Sequence, residues 1–274
     1  MPTKKRVPLI FFQTWRLSPS ALHMRITFTH AGRSYCADLS RAHDLSILLR
    51  AAPDQVNCFW ARPVAYTPVV AGDFVGSTAA GGPVNFFDVQ VNPHGNGTHT
   101  ECVGHIARAR YIIGDCLRAH HFFAKLLSLA PVETAEGDRL ILREQLEAGL
   151  TQGEAQALII RTLPNGEGKM RLQHSGTNPP YLHHEAVEYL VQCGIEHLLL
   201  DLPSVDREVD GGALLAHRAF WQYPHRVEAR QHCTITELIY VPDAVRDGYY
   251  LLNLQTAAFD LDASPSRPVI FELT

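Results

Sequence analysis

The stretch "HHEAVEYLVQCGIEHLLLDL", residues 183–202, has the pattern of a helix followed by a buried strand. Four apolar side chains share one face of the predicted helix, which starts at the paired histidines: Ala186, Val187, Leu190 and Val191. Gly194 stands where helices commonly end in a left-handed residue. Residues 195–202, like ALIIRTL at 157–163, form a continuous apolar run typical of a strand buried on both faces. Together these segments predict a β-α-β unit and an α/β fold class.

The segments outside this unit predict a mixed sheet with flanking helices. RITFTHAG (25–32) and YCADLS (35–40) alternate apolar and polar residues and predict a hairpin that turns at Gly32. The spacing over 103–129 predicts two helices, interrupted at Gly114 and Asp115. One further helix and three strands are predicted at 211–221, 233–240, 248–253 and 267–273. We therefore predict a single domain over residues 1–274, in which residues 1–33 are an N-terminal extension.

Composition narrows the function classes. The 274 residues carry a formal net charge of -4, and 46% of them are hydrophobic. This balance offers no basic field for nucleic acid or for an anionic membrane, and no apolar run is long enough for a membrane helix. The six cysteines form no CxxC pair, and the N-terminus lacks the pattern of a signal peptide. We expect a cytoplasmic protein with reduced thiols and a small-molecule partner.

The chemistry is concentrated in NPHGNGTHTECVGHI, residues 92–106. His99 and Glu101 are two residues apart, so in extended backbone both side chains lie on one face and can share an ion. His105 follows four residues later, one helical turn away if a helix starts near Cys102. Imidazole and carboxylate together suit Zn, Mn or Fe(II). The alternative is a polar turn whose histidines cap a helix.

GTHTECVGH resembles the signature H-x-G-T-H-x-D-x-x-x-H of the cyclase family, metal-dependent hydrolases that include bacterial kynurenine formamidase and isatin hydrolase. The resemblance extends from about residue 34 to the end of the chain and includes five further segments, ADLSRAH, CFWARP, GIEHLLLDLPSVD, AHRAFW and ITELIY. It implies a swivelling β/β/α-like fold, a divalent metal ion (Zn or Mn, one or two per subunit), and a homo-oligomer, most simply a homodimer. By the same analogy, the apolar N-terminal segment LIFFQTW would be an exchanged or packing segment that contacts the dimer partner.

The resemblance implies roles for individual residues. His99, Glu101, His217 and Glu237 correspond to metal ligands, and His105 to the proton-transferring residue. Without the resemblance, His217 and Glu237 would be read as a surface histidine and a strand carboxylate.

The chain departs from the signature at two positions. Gly95 stands where the family has its first histidine, and the nearest imidazole, His94, is one residue early. Glu101 stands where the family has Asp, and its extra methylene moves the carboxylate by about 1.5 Å, a large distance for a metal ligand. A one-metal site, an altered metal preference and a non-catalytic metal-binding relative are therefore alternatives to a two-metal enzyme.

Substrate contacts are predicted from position and residue type. Trp60 lies where the family tends to carry a substrate-facing Trp, and with Phe59, Phe86 and Phe87 it offers aromatic faces to a flat substrate. Packing in the core is the alternative for Trp60 and the favoured role of the phenylalanines. Ser204 follows a buried strand, where open α/β sheets bind ligands, although helix capping explains it equally well.

The resemblance, together with these residues, implies an amidohydrolase. A bound divalent ion lowers the pKa of its water to about 7, and the activated water would cleave the carbon–nitrogen bond of a formamide, amide or lactam. His105 would take the water proton and pass it to the leaving group. Cyclase or dehydratase chemistry and lactone hydrolysis on the same site remain alternatives. Cys102 lacks a recognisable His/Asn partner motif and is expected to be a structural thiol.

Overall fold

The computed structural model describes residues 24–274, so the predicted contact segment LIFFQTW lies outside the described residues. Strands contribute most of the regular structure: β1 (Arg25–His30), β2 (Arg33–Asp44), β3 (Ala65–Pro68), β4 (Val70–Ala71), β5 (Phe74–Val75), β6 (Phe87–Gln90), β7 (His99–Glu101), β8 (His121–Leu129), β9 (Val132–Glu133), β10 (Arg139–Ile141), β11 (Ala157–Thr162), β12 (Tyr181–Leu182), β13 (His197–Leu200), β14 (Thr234–Glu237), β15 (Gly248–Asn253), β16 (Ala263–Pro265) and β17 (Val269–Leu273). The α-helices are α1 (Pro93–Asn96), α2 (Ile113–Cys116), α3 (Arg143–Glu147), α4 (His184–Gln192), α5 (Leu215–Trp221) and α6 (Val227–Arg230).

One large mixed sheet organises the described residues, with strand order β1-β2-β17-β15-β8-β11-β13-β14-β7-β16. Its centre is parallel, because β8, β11, β13 and β14 run in the same direction. The strands on either side are antiparallel, including the predicted β1–β2 hairpin. The predicted α/β class with a mixed sheet is confirmed.

Strand β11 shows why the continuous apolar runs predicted buried strands. Leu158 and Ile160 face a core shared with α3, α4 and α5, whereas Ala157 and Ile159 face a second core on the opposite side. All four side chains are fully buried. Successive residues of a strand point to opposite faces, and burying one Leu or Ile side chain contributes about 1.5–3 kcal/mol.

The β-α-β unit is confirmed, with α4 between β11 and β13. Helix α4 begins at His184, as the paired histidines predicted, and buries Ala186, Val187 and Leu190. Gly194 has a φ of 82°, which a residue without a Cβ adopts without strain. The predicted helix at 211–221 is shorter than expected and begins at Leu215. No helix within residues 24–274 combines the length and apolar character needed to cross a bilayer.

The prediction of two helices over residues 103–129 is wrong. A 3₁₀ turn covers Val103–His105, α2 is a single turn, and β8 occupies the last nine residues of the segment. Phe122 and Ala124 face one core while Phe123 and Leu127 face the other. A strand buried on both faces carries apolar residues at helical spacing as well as at strand spacing, so periodicity could not separate the two.

Candidate metal centre

The short strand β7 lies at the centre of the candidate site. It pairs on one side with β14, where Glu237 lies opposite His99, and on the other side with β16, where Ala263 lies opposite Glu101. His99 and Glu101 are two residues apart in a strand, so their side chains point to the same face, as predicted. Both side chains are buried. The pairing with β14 is what brings Glu237 to the residues of the 92–106 stretch.

His94 approaches this face from α1, which is a single turn. The turn packs closely on residues 58–61: the Cys58 amide donates to the Gly95 carbonyl at 2.9 Å. A Cβ on Gly95 would lie 2.2 Å from the Cβ of Ala61, so this contact requires glycine. The Cα of Gly95 therefore faces residues 58–61, and the side chain of the neighbouring His94 points the other way, towards Glu101.

His217 comes from α5 and is held by Asp206. The Asp206 carboxylate accepts hydrogen bonds from the backbone amides of Ala216 and His217, at 2.7 and 3.1 Å, in the first turn of the helix. The same carboxylate lies 2.5 Å from His217 Nδ1. The Asp206 side chain therefore caps the first turn of α5 and also orients His217. Helix capping was the alternative role that the sequence indicated for this segment.

Glu101 is the point on which the imidazoles converge. Its Oε1 lies 3.1 Å from His217 Nε2, and its Oε2 lies 3.0 Å from His94 Nδ1 and 3.7 Å from His105 Nδ1. His99 Nε2 lies 3.4 Å from Glu237 Oε2. The structure thus brings together six predicted site residues, His94, His99, Glu101, His105, His217 and Glu237.

Two buried polar atoms in this cluster have no hydrogen-bond partner: His99 Nε2 and Glu101 Oε2. The His94 Nδ1 contact with Glu101 Oε2 is close, but its geometry is not that of a hydrogen bond. Because Gly97 O accepts from His99 Nδ1 at 3.0 Å, a neutral His99 ring presents a lone pair at Nε2. That lone pair faces a carboxylate oxygen of Glu237, an arrangement that a cation between the two would satisfy.

The donor atoms also fit a cation in number and kind. Three groups each offer ligand atoms within 4.8 Å of one another: His94, His99 and Glu101; His94, His105 and Asp262; and Glu101, His105 and His217. Ligand atoms about 2.0–2.2 Å from a zinc ion lie at most roughly 4.4 Å apart, so small adjustments would bring such a group to metal-binding distances. Imidazole nitrogens and carboxylate oxygens are donors that Zn and Mn accept.

The histidines and carboxylates of the cluster stabilise each other's charges. Burial lowers the pKa of His94, but the carboxylates of Asp262 and Glu101 outweigh it and raise that pKa to about 10. Burial likewise lowers the pKa of His217, and Asp206 and Glu101 raise it to about 10. Burial raises the pKa of Glu101, yet His105, His217 and His94 together hold it well below its usual range. A divalent cation therefore competes with protons for the same ring nitrogens.

His105 lies on the accessible side of the cluster. About a third of its side chain is exposed, whereas the side chains of Glu101 and His217 are buried almost completely. Its ring centroid is 4.4 Å from that of His94 and 5.3 Å from that of His217. His105 thus has the most exposed side chain of the cluster's imidazoles, ahead of His94 at 27%, and it meets both the cluster and solvent.

The fold agrees with the comparison to known families. The family model described as "Putative cyclase" matches residues 27–207. The chain belongs to the cyclase family. The match ends before α5 and β14, so the positions of His217 and Glu237 rest on the structure and on the resemblance of their segments. Comparison with curated protein sequences gives no match.

Solved structures with the same fold include cyclase-family hydrolases. A predicted metal-dependent hydrolase from Bacillus stearothermophilus has a TM-score of 0.57 at 14% identity, covering 84% of this chain and 98% of its own. Isatin hydrolase A from Ralstonia solanacearum has a TM-score of 0.57 at 13% identity, covering 84% and 91%. An isatin hydrolase bound to the product analogue thioisatinate has a TM-score of 0.57 at 15% identity, covering 85% and 93%. At these identities the likeness shows the fold alone.

The aromatic residues predicted near the site lie on the surface. Trp60 is 70% exposed and Phe59 38% exposed, on the loop that contacts α1. The prediction that the phenylalanines pack in the core is wrong, because Phe86 and Phe87 are exposed as well as Phe59. Ser204 is buried, and its hydroxyl oxygen accepts the amide of Asp206 at 3.1 Å, so it shapes the turn that carries Asp206.

Sequence reasoning missed Asp262 entirely. Its Oδ2 lies 3.0 Å from His94 Nε2 and 3.6 Å from His105 Nδ1. His105 and His94 hold the pKa of the Asp262 carboxyl well below its usual range. The surrounding FDLDASP segment has no periodic pattern, and only the pairing of β16 with β7 places it here.

Cys102 agrees with its predicted structural role. Its side chain is buried, and a hydrogen bond with Cys116, together with burial, raises the pKa of its thiol. A thiol with a raised pKa is a poor nucleophile. The six cysteines are all free.

Proposed function

We propose that this protein is a metal-dependent hydrolase that cleaves a carbon–nitrogen bond in a formamide, amide or lactam. The observation that carries the proposal is that two buried atoms, His99 Nε2 and Glu101 Oε2, lack a hydrogen bond at the centre of convergent imidazoles and carboxylates. A divalent cation held there by His94, His99, Glu101, His217 and Glu237 would activate a water molecule and polarise the substrate carbonyl.

The chain's own residues supply orientation and proton transfer. Asp206 and the Gly97 carbonyl each bind one ring nitrogen, of His217 and His99 respectively, and so fix which nitrogen faces the cluster. His105, partly exposed beside Glu101, would accept the proton that the attacking water loses. It would then donate that proton to the departing nitrogen, so that acid and amine leave with the elements of water added.

The substrate is proposed to be a small aromatic molecule bound against Phe59 and Trp60. The loop that carries them is tied to the site, because Cys58 donates to the Gly95 carbonyl beside His94. Both residues have positive φ, 55° and 52°, which is costly for bulky side chains and typical of functional positions. An isatin hydrolase with a similar fold binds the product analogue thioisatinate, which is consistent with an aromatic ligand.

The test combines metal analysis with a substrate screen. Protein stripped with chelator and reconstituted with Zn²⁺ or Mn²⁺ is assayed on N-formyl amines, isatin-like lactams and lactones. We expect turnover of an amide or lactam that requires the ion. Bound metal without amide or lactam turnover would favour lactone hydrolysis, ring closure or dehydration, and absence of metal binding would favour a non-catalytic relative.

His105→Ala separates proton transfer from metal binding. The variant should lose about 10²- to 10⁴-fold in kcat while it retains its metal, because general acid–base catalysis contributes a factor of that size. His225→Ala, which removes an exposed histidine outside the cluster, is the matched control and should retain full activity. If metal content falls together with activity in His105→Ala, His105 is a ligand and the proposed role is wrong.

We also propose a cytoplasmic homo-oligomer, most simply a homodimer. Large apolar side chains are exposed along the segment from β4 to β6, with Val70 67%, Phe86 57% and Val89 63% exposed. Apolar surface concentrated in one region commonly marks an interface. Light scattering at micromolar concentration should give a multiple of the monomer mass, and a monomer would refute the oligomer. Free thiols suit a reducing compartment.

A further inference from the structure

We infer that Asp262 is the carboxylate that positions His94 as a metal ligand, an inference that rests on the metal-dependent function proposed above. Asp262 Oδ2 lies 3.0 Å from His94 Nε2, and the other ring nitrogen, Nδ1, lies 3.0 Å from Glu101 Oε2. A neutral imidazole has one N–H and one lone pair. With Nε2–H donating to Asp262, the lone pair at Nδ1 is directed into the cluster.

The same arrangement holds for the other two imidazoles that face the buried carboxylates. His99 donates from Nδ1 to the Gly97 carbonyl and leaves Nε2 facing Glu237. His217 binds Asp206 through Nδ1 and turns Nε2 towards Glu101. Histidine ligands of metals almost always bind a carboxylate or carbonyl through their second nitrogen. Asp262 provides that partner for His94.

Asp262 is held in a fixed position relative to Glu101. Its carbonyl accepts the amide of Cys102 at 3.0 Å, and the next residue, Ala263, pairs with Glu101 in the sheet. Gly104 allows the close approach of this segment, because a Cβ there would lie 2.9 Å from the Cβ of Asp262 and 2.3 Å from the Tyr111 carbonyl. A supporting carboxylate needs such rigidity if it is to fix a ring orientation.

Asp262 acts through His94 and does not bind the ion itself. Its side chain is 30% exposed, whereas that of Glu101, which faces the same ring from the other side, is 1% exposed. Glu101 Oε2, a buried atom without a hydrogen bond, lies at the Nδ1 side of the ring. A neutral His94 has only one lone pair, so it serves the Glu101 side when its Nε2–H is given to Asp262.

The test is a set of metal-binding isotherms on chelator-stripped protein, with Zn²⁺ and Mn²⁺ as the probes. Asp262→Ala should bind the ion about 10- to 100-fold more weakly than the unaltered chain, the usual loss when such a partner is removed. Asp262→Asn, whose amide oxygen still accepts an N–H, should recover part of that loss. Asp260→Ala, which removes an exposed carboxylate paired with Arg110 two residues away, is the matched control and should change nothing.

A second background distinguishes positioning from direct ligation. In His94→Ala protein, the further change Asp262→Ala should cause no additional loss of affinity. An additional loss would show that Asp262 is itself a ligand, and equal affinity of Asp262→Ala and the unaltered chain would overturn the inference while leaving the proposed function intact. If the unaltered chain binds neither ion, the proposed function fails and the inference fails with it. Circular dichroism of each metal-free variant checks folding, and Asp262→Asn provides the measurement if the alanine variant does not fold.

Discussion

Replacing Glu101 by Asp tests the geometry of the cluster directly, because the family signature carries Asp at this position. The change shortens the side chain by one C–C bond, about 1.5 Å. The backbone of β7 cannot advance to compensate, since Glu101 is paired with Ile235 of β14 on one side and Ala263 of β16 on the other. The carboxylate should therefore withdraw from the imidazoles.

The contacts of Glu101 give the size of the effect. Its oxygens lie 3.0 Å from His94 and 3.1 Å from His217. Each separation would grow to as much as about 4.5 Å, beyond hydrogen-bond distance. Ligand distances are held within about 0.2 Å, and a four-ligand zinc site contributes about 10–16 kcal/mol in total, so losing one ligand costs roughly 3 kcal/mol. That corresponds to about a 100-fold loss of affinity.

Metal-binding isotherms on stripped protein measure this loss. Glu101→Gln keeps the length of the side chain and removes its charge, so it separates reach from charge. Glu188→Asp makes the same shortening at an exposed position of α4 and should leave affinity unchanged. If Glu101→Asp binds Zn²⁺ or Mn²⁺ as tightly as the unaltered chain, the reach of Glu101 does not determine the site and the reasoning is refuted.

Three further variants test the packing of Gly95 against Ala61, the pH dependence of stability that His197 contributes, and the contact of Trp60 with substrate. Gly95→Ala places a Cβ 2.2 Å from that of Ala61, so urea unfolding should show about 1–3 kcal/mol of destabilisation, and an unchanged midpoint would contradict the contact. Burial first, then His232 and Arg230, lower the pKa of His197 to about 3, below its unfolded value near 6.5. The unfolded chain therefore binds more protons below pH 6.5, and the folded protein loses stability as pH falls, by about 2 kcal/mol at pH 5 from this group. His197→Gln should reduce the stability difference between pH 7 and pH 5 by that amount, and an equal difference in both proteins would be evidence against it. Trp60→Ala should change stability by less than about 0.5 kcal/mol, because the ring is exposed, while raising KM for an aromatic substrate about 2- to 10-fold; an unchanged KM would remove Trp60 from the substrate site.

The parts of the fold that could be predicted are those in which local pattern and environment agree. Helix α4 has one buried face and a terminal Gly194, so its spacing identified it. Strand β11 is buried on both faces and is short, as its apolar run indicated. Strand β8 has the same double burial over nine residues, and that length is compatible with a helix as well. Whether such a segment forms a strand or a helix depends on the elements that pack against it, and the local sequence does not contain that information.

The site separates in the same way into local and non-local parts. His99 and Glu101 follow from strand geometry alone, because a spacing of two residues places them on one face. Glu237 reaches them only through the pairing of β14 with β7, and His217 through the packing of α5, so both were assigned by resemblance. Asp262 depends on the pairing of β16 with β7 and carries no motif. A side chain that reaches a site only through the pairing of distant strands has no characteristic sequence spacing from the other site residues, so a single sequence cannot identify it.

The displaced histidine shows why residue counting fails at this position. Successive residues of a helical turn point about 100° apart, so in α1 the side-chain directions of positions 94 and 95 differ by more than a quarter of a turn. Position 95 points at Ala61, where a Cβ would lie at 2.2 Å, and position 94 points at Glu101. A histidine at the family position would therefore face the loop and not the cluster. The rotation of α1 against residues 58–61 makes His94 the imidazole of this turn that can reach a cation shared with His99 and Glu101.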